Sequence, residues 1–481
     1  MAIKRYTANK DNTLTNAYEA NLTTRGTGSN MGLADSLEIF SIYAQAASSS
    51  NEQCQAIVQF PINSISTDRT AGNVPASGSV NFYLRMFNVV HDQSSPRNFT
   101  LFVAPISQSW EEGNGLDMEN YSDLTYNGTG SNWINAKAHL SWSVEGGDFL
   151  TGSTYSAYNY TQGYDTGLED LEIDITGMVE QWLTGTAGGG FENYGLVVQL
   201  TSSEASGNRS YYTKKFSSRS SEYVMKRPII EARWNSSKQD NRGNFYVSSS
   251  NLSAADNLNT LYIYNYVRSQ PTNLANVGTG PIYVNLYTSA SGGEQLTATP
   301  NNPVTGGWVS TGVYSASFAL NTTASTVYDR WFSGSVYYHT GSFMPEAFNS
   351  SNIYHIPKYV TTITNLNPEY YKNNTARLRL FTRLKDWSPT IYTVASKEIE
   401  NKFVDAAYWR LYREIDNFEI IAYGTGSDLY TKLSYDVTGS YFDLDMSILE
   451  PDYSYVIKFL YYINGQYQEQ PESFKFRVTE Q

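Results

Sequence analysis

Chemistry in this 481-residue chain would have to come from scattered groups. Histidine occurs four times, as His91, His139, His339 and His355. None lies at the His-x-x-x-His spacing that puts two imidazoles on one metal, and none sits beside an acid at a spacing that would orient it as a base. Three acid pairs, Glu111 with Glu112, Glu169 with Asp170, and Asp443 with Asp445, are of the type that glycosidases place across a sugar bond. Adjacent acids on a strand point to opposite faces, however, and alternate ones share a solvated face. Calcium held by Glu169, Asp170 or Asp174 would lack the Asp-x-Asp-x-Asp-Gly loop that gathers oxygen ligands. No Gly-x-Ser-x-Gly elbow or phosphate-cradling glycine loop is present. The single Cys54 excludes an intrachain disulfide and a cysteine-built metal site, and within an apolar run it reads as a buried, inert thiol. The expectation is a non-enzyme without catalytic residues, cofactor or metal.

Binding is the other chemistry on offer. A flat, exposed indole can stack on a pyranose ring, and Trp110, Trp133 and Trp142 fall in the least strand-like part of the N-terminal half. These three are the candidate carbohydrate-binding residues, with a place in the core or at a subunit contact as the alternative for each. Trp308, after Gly306 and Gly307, reads as a core anchor, with a binding role as the alternative. A net charge of −13 opposes a surface that tracks nucleic-acid phosphates, and short basic runs at Lys214–Lys215 and 410–413 read as solvated faces. No apolar run is long enough to span a bilayer, and no leader-like segment opens the chain, so synthesis and folding in a cytoplasm are expected. Asn-x-Ser/Thr triplets such as Asn98 to Thr100 follow from composition and are not read as glycan acceptors.

The elements that must position these residues read as strands. Aromatics reach 15% of the chain, with 40 Tyr, against 16% charged residues, the usage of half-buried strands and of wet, adaptable contact surfaces. Leu171, Ile173 and Ile175 alternate with Glu172 and Asp174, the period of a strand with one buried face. The period then becomes helical, with Met178, Val179, Trp182 and Leu183 on one side, Thr176 placed to cap the start and Gly185 to end the turn. A polar stretch without periodicity at 235–243 marks a joint, and a softer one falls near 349–357. Between them strands recur at 244–247, 260–267, 281–287, 312–320 and 335–338. Beyond them, 376–381 and 441–446 alternate, and Asn464-Gly465 is a hairpin turn. The predicted architecture is all-β, with tandem β-sandwiches over residues 1–235, 243–355 and 356–481.

Several pieces carry a resemblance. Residues 10–235 resemble the sandwich family named after the motif DNRLRE, found in secreted carbohydrate-binding and surface proteins. The pieces, in order, are Gly26 to Gly32, strands at 55–61 and 80–90, the turn from Ser109 to Glu112, the helix near Trp182, Asn193 to Gly195, and 227–234 closing on Trp234. The resemblance implies a jelly-roll-like sandwich with one short helix. The Tyr, Asn, Gly and Ser stretch at 120–167 departs from that pattern. The run from Leu449 through Pro451 to Tyr455 resembles the tyrosine corner of immunoglobulin- and fibronectin-type sandwiches. The opening residues 1–6, the 21–32 segment and the 306–314 run are similar in style to virion structural proteins of T4-like phages of marine cyanobacteria. That similarity implies a structural component of a tailed-phage virion at the neck, tail or capsid exterior, assembled in the host cytoplasm. It would act by protein–protein adhesion with other virion structural proteins, as a homo-oligomer in the particle, without nucleic-acid or membrane partners. The rival is a host-surface carbohydrate-binding adhesin or tail-fibre component, which would add a host-surface glycan as partner.

Overall fold

The computed structural model describes residues 2–91, 97–116, 130–347, 357–396 and 401–480. The chain forms two compact units, one of residues 2–235 with 448–450 and one of residues 236–447 with 451–481. It is an all-β chain of tandem sandwiches, as the alternation and turn chemistry predict.

In the first unit a four-stranded antiparallel sheet is ordered Ile3–Thr7, Ile229–Arg233, Asn81–Met86, Leu171–Asp174. A seven-stranded sheet faces it, ordered Tyr211–Ser217, Ser36–Tyr43, Asn51–Gln59, Leu196–Leu200, Phe99–Pro105, Tyr160–Tyr164, with Lys10–Thr15 also paired to Asn51–Gln59. Phe82, Leu84 and Met86 from the smaller sheet meet Ala56, Val58, Leu101, Val103, Leu196 and Val198 from the larger in one core. The larger sheet is buried on its other face too, where Ile57, Ala104 and Val197 enter a satellite core. Burial on both faces explains why 56–58 and 196–198 are unbroken apolar runs rather than alternating ones.

Helix α1 (Ile62–Thr70), which the sequence reading places in no element, starts directly after Pro61 and buries Ile62 and Ile65. Helix α2 (Thr176–Thr184) buries Met178, Val179 and Trp182 in the main core, with Leu183 packed against it. The two helices are clasped by Arg69, whose Nη1 and Nη2 donate to Glu180 at 2.9 and 2.6 Å. Gly185 ends α2 at φ +63°, where a Cβ would be strained. Thr176 does not cap it. Ile175 occupies the cap position, and the Thr176 hydroxyl instead accepts the Phe82 N–H at 2.8 Å and donates to Asp174.

The second unit holds two sandwiches. In the first, one sheet ordered Asn259–Tyr264, Val313–Leu320, Val304–Ser310, Ile282–Ser289, Val327–Ser333, Val336–Phe343 closes on a core of Phe245, Ile282, Val284, Phe318, Trp331 and Phe343. Trp308 is not part of that core. It lies past the last core rung (Ile282 opposite Gly306) and at a register shift, 42% exposed, with Nε1 donating to Asn273 Oδ1 at 3.1 Å. The buried indole is Trp331, whose Nε1 donates to Asp329. In the other sandwich, Tyr359–Ile363, Thr375–Leu384, Gly439–Asp445 and Ser434–Asp436 face Glu369–Tyr371, Phe474–Thr479, Ser454–Ile463, Ala407–Arg413 and Glu419–Ile421. Trp409 stacks on Phe442 between the layers, at 4.6 Å. Tyr455 is buried at the start of its strand, and Asn464 (φ +50°) with Gly465 (φ +80°) turns Ser454–Ile463 into Gln466–Glu469 as the hairpin chemistry dictates. The softer joint, except for Pro357, lies outside the described residues, as do His355 and residues 120–129 of the Tyr/Asn/Gly/Ser stretch.

Candidate functional site

The three tryptophans weighed as sugar platforms are brought together, but inside the molecule. Trp110, Trp133 and Trp142 are 2%, 7% and 5% exposed and form the satellite core with Leu14, Ile57, Ala104, Ile106 and Val197. Trp110 Nε1 donates to the Tyr194 carbonyl at 2.7 Å and Trp142 Nε1 to the Asn132 carbonyl at 2.9 Å. An indole covered in this way has no free face for a pyranose. These residues seal the outer face of the larger sheet, which is why their segment lacks strand character.

Most of the candidate acids are already engaged. Glu112 accepts from Arg219 Nε and Nη2 at 2.9 and 2.7 Å, and Asp443 from Arg377 at 2.8 and 3.0 Å. Asp170 accepts the Asn88 N–H, Asp174 the Thr176 N–H, and Glu169 the Thr166 N–H. Among the described residues no group of three or more His, Cys, Asp or Glu side chains is placed to hold a metal ion. Cys54 is buried and unpaired, with burial pushing its thiol well above the usual range.

Lys214 is not a solvated charge. It is 2% exposed, and its Nζ donates to Asn88 Oδ1 at 2.6 Å and to the Gly167 and Glu169 carbonyls at 3.0 and 2.6 Å. The rings of Tyr164 and Phe216 flank it at 4.9 and 5.0 Å. Burial lowers its pKa to about 8, with Asp170 and Glu169 acting in the opposite sense. A lysine with three oxygen acceptors and two aromatic faces is fully coordinated, so it pins loop 167–169 and Asn88 to the Tyr211–Ser217 strand.

The polar joint read at 235–243 is a stitched segment of the second unit. On one side Lys238 O accepts from Tyr435 N, Asp240 N donates to Tyr435 O, and Lys238 N donates to Ser434 Oγ. On the other, Asn241 Oδ1 accepts the Thr260 N–H at 2.9 Å, and Arg242 binds Asp329 through both ends of its guanidinium at 2.5 and 2.9 Å. Asn241 Nδ2 also donates to the Tyr435 hydroxyl, which donates to Asp405. The segment is thereby bonded to strands of both sandwiches. Beside it lies a cleft of about 490 Å³ lined by Asp240, Arg242, Tyr262, Tyr264, His339 and Asp436. Its charges are balanced from within. Asp329 neutralises Arg242, and Arg379 binds Asp436 at 3.0 and 3.0 Å. Burial raises Asp240 to about 6, against the pull of Arg242, and burial lowers His339.

A different surface is chemically open. On the outer face of the sheet formed by Ile282–Ser289, Val327–Ser333 and Val336–Phe343, cross-strand register sets Tyr283 against Phe332, Asn285 against Arg330, Tyr287 against Tyr328, and Phe332 against Tyr337. The 281–287 and 335–338 strands were legible as sequence, but the Val327–Ser333 strand that completes this face was not. Its alternation of Val327, Asp329 and Trp331 inward places a charged residue in the core.

No known family model matches the chain, and no curated protein matches it. Among solved structures, the chain resembles a marsupial T cell receptor at 8% identity, covering 46% of this chain and 68% of that one with a TM-score of 0.15. It resembles the adhesin InvE of Yersinia pseudotuberculosis at 9%, covering 46% and 54%, TM-score 0.14. The N-terminal Ig1-2 module of the Drosophila receptor protein tyrosine phosphatase DLAR matches at 7%, covering 46% and 90%, TM-score 0.15. Similarities this slight carry no weight for what the chain binds.

Proposed function

We propose that the protein is a non-enzymatic structural component of a tailed-phage virion, at the neck, tail or capsid exterior, acting by protein–protein adhesion with other virion proteins. The observation that carries the reading is the stitched segment 238–244. A linker meant to let modules swing is solvated and free of cross-bonds. This one is hydrogen-bonded into strands on both sides and held by a buried, bidentate ion pair, which suits a spacer whose geometry has to be fixed. Repetition of such a spacer in a homo-oligomer turns weak contacts into stable attachment through avidity. The adhesin reading loses its first carriers, because the three candidate indoles are buried.

The test is an electron-microscopy map of purified particles, read beside their protein content. A fixed copy number at a symmetry-related position, with subunit contacts on this chain, is the expected outcome. Absence of the chain from purified particles would overturn the assignment.

A further inference from the structure

The Arg330 side chain lies at the centre of the outer aromatic face formed by Tyr283, Tyr287, Phe332 and Tyr337. Its guanidinium sits over Tyr337 at 4.7 Å and Tyr287 at 5.6 Å, the arrangement of a cation held between ring faces. Its Nε is buried without a hydrogen-bond partner, and among the described residues no carboxylate pairs with the guanidinium. That is unusual in a chain with 46 acids and 33 Lys and Arg, where Arg69, Arg219, Arg242, Arg377 and Arg379 are each matched by an acid. The register explains it, since the outward positions around Arg330 are Tyr283, Asn285, Tyr287, Phe332, Tyr337 and Thr340, with no acid among them.

We infer that this face binds an anionic pyranose, with Arg330 taking the sugar carboxylate and the flanking rings taking its C–H face. Tyr283, Phe332 and Tyr337 make a platform of neighbouring rings, with successive centroids 5.9 and 5.5 Å apart and planes tilted by 37° and 42°. A platform of that breadth suits a ring stacked flat rather than a side chain inserted into a pocket. A guanidinium stacked between aromatics keeps its outer N–H edge for bidentate contact with a carboxylate. Asn285 and Gln295 are tied to each other at 3.1 Å, which leaves an amide N–H₂ and a carbonyl at the rim for sugar hydroxyls. The site is separate from Trp110, Trp133 and Trp142, and it goes beyond the virion assignment without depending on it.

The experiment is affinity electrophoresis of the full chain in native gels containing polygalacturonate or, as the neutral control, dextran. Expected is retardation by polygalacturonate only, weakened at least tenfold by Arg330→Ala and incompletely restored by Arg330→Lys, whose ammonium lacks the planar fork. Tyr337→Ala, checked by an unchanged melt, should weaken it severalfold. The inference is overturned by no retardation, by equal retardation in dextran, or by Arg330→Ala and Tyr337→Ala variants that fold and bind as the parent does. A particle map with another protein subunit seated on this face would also overturn it, while leaving the structural role intact. Absence of the chain from particles would do the reverse.

Discussion

Lys214 in the first unit and Arg330 in the second are both cations between two aromatic rings on antiparallel strands, and they do opposite work. Lys214 is sealed in, and its three protons all meet oxygens. Arg330 has the rings, but among the described residues its buried Nε has no oxygen partner. A cation–aromatic pair therefore does not by itself indicate a binding site. The deciding feature is whether the acceptors are already in place, because a buried cation with all its acceptors holds structure together and a partly exposed one without them has hydrogen-bonding capacity left for a ligand. The same strand makes the point at closer range. Asp329 points inward and is satisfied by Arg242 and Trp331, while Arg330, the next residue, points outward and is not.

The largest effect should come from breaking the satisfied pair. Arg242→Ala would leave the fully buried Asp329 carboxylate with the Trp331 N–H alone, and removing one member of such a pair costs about 3–5 kcal/mol. Hydrogen-exchange protection of the Val327–Ser333 and Val336–Phe343 strands should collapse, while the first unit's strands stay protected. A loss below about 1 kcal/mol would mean that the pair is not what fixes segment 238–244.

Next is Lys214→Met, which keeps most of the stem's bulk and removes the charge. Asn88 Oδ1 and the Gly167 and Glu169 carbonyls would be left without their donor, at a cost of about 3 kcal/mol. Exchange protection in Tyr211–Ser217 and Ser36–Tyr43 should fall, with the second unit unaffected. A neutral outcome would show that water can enter and replace the ammonium, and that the contrast with Arg330 is one of exposure only.

Second-unit stability should also depend on pH. Burial raises Asp240 from 3.8 to about 6, so the folded second unit binds a proton that the unfolded chain has already released between those values. The stabilisation is complete below about pH 4 and is lost as pH rises through 6. A shift of this size corresponds to about 2–3 kcal/mol. Asp240→Asn keeps an oxygen for the Arg242 N–H and cannot ionise, so second-unit stability in the variant should be flatter than in the parent between pH 4 and 6.5. Equal slopes would mean that Arg242 compensates the charge fully.

What was readable in the sequence is what depends on neighbours in the chain. Alternation from Leu171 to Ile175, the helical face of Met178, Val179 and Trp182, and the Asn464-Gly465 turn are all local, and each is present. The sites are not local. Lys214 finds its acceptors 45 to 126 residues away, so its basic run could only look solvated. The Trp110, Trp133 and Trp142 segment covers a sheet whose second buried face shows only as the apolar runs at 56–58 and 196–198. Arg330 depends on the register of three strands, and the inward Asp329 disguises the middle one. Pro61 reads as the end of a strand. Helix α1, directly after it, offers only Ile62 and Ile65 on its buried side, too short an apolar signal to separate from a turn.

The smallest effect is the one that separates the two cations most sharply. Arg330→Ala removes a side chain whose charge is matched by no acid and whose Nε has no oxygen partner among the described residues, so little stabilising interaction is lost beyond its contact with Tyr287 and Tyr337. Cation–aromatic contacts at partly exposed sites contribute about 0.5–1 kcal/mol, and relief of the unpartnered Nε offsets part of that. The expected change in second-unit stability is below about 0.5 kcal/mol, measured by denaturant midpoint at constant slope. A residue kept for a ligand should be dispensable to the fold in this way, whereas one kept for structure should not. A loss near the roughly 3 kcal/mol expected for Lys214→Met would place Arg330 among the structural cations and remove the physical ground for treating the outer face as open.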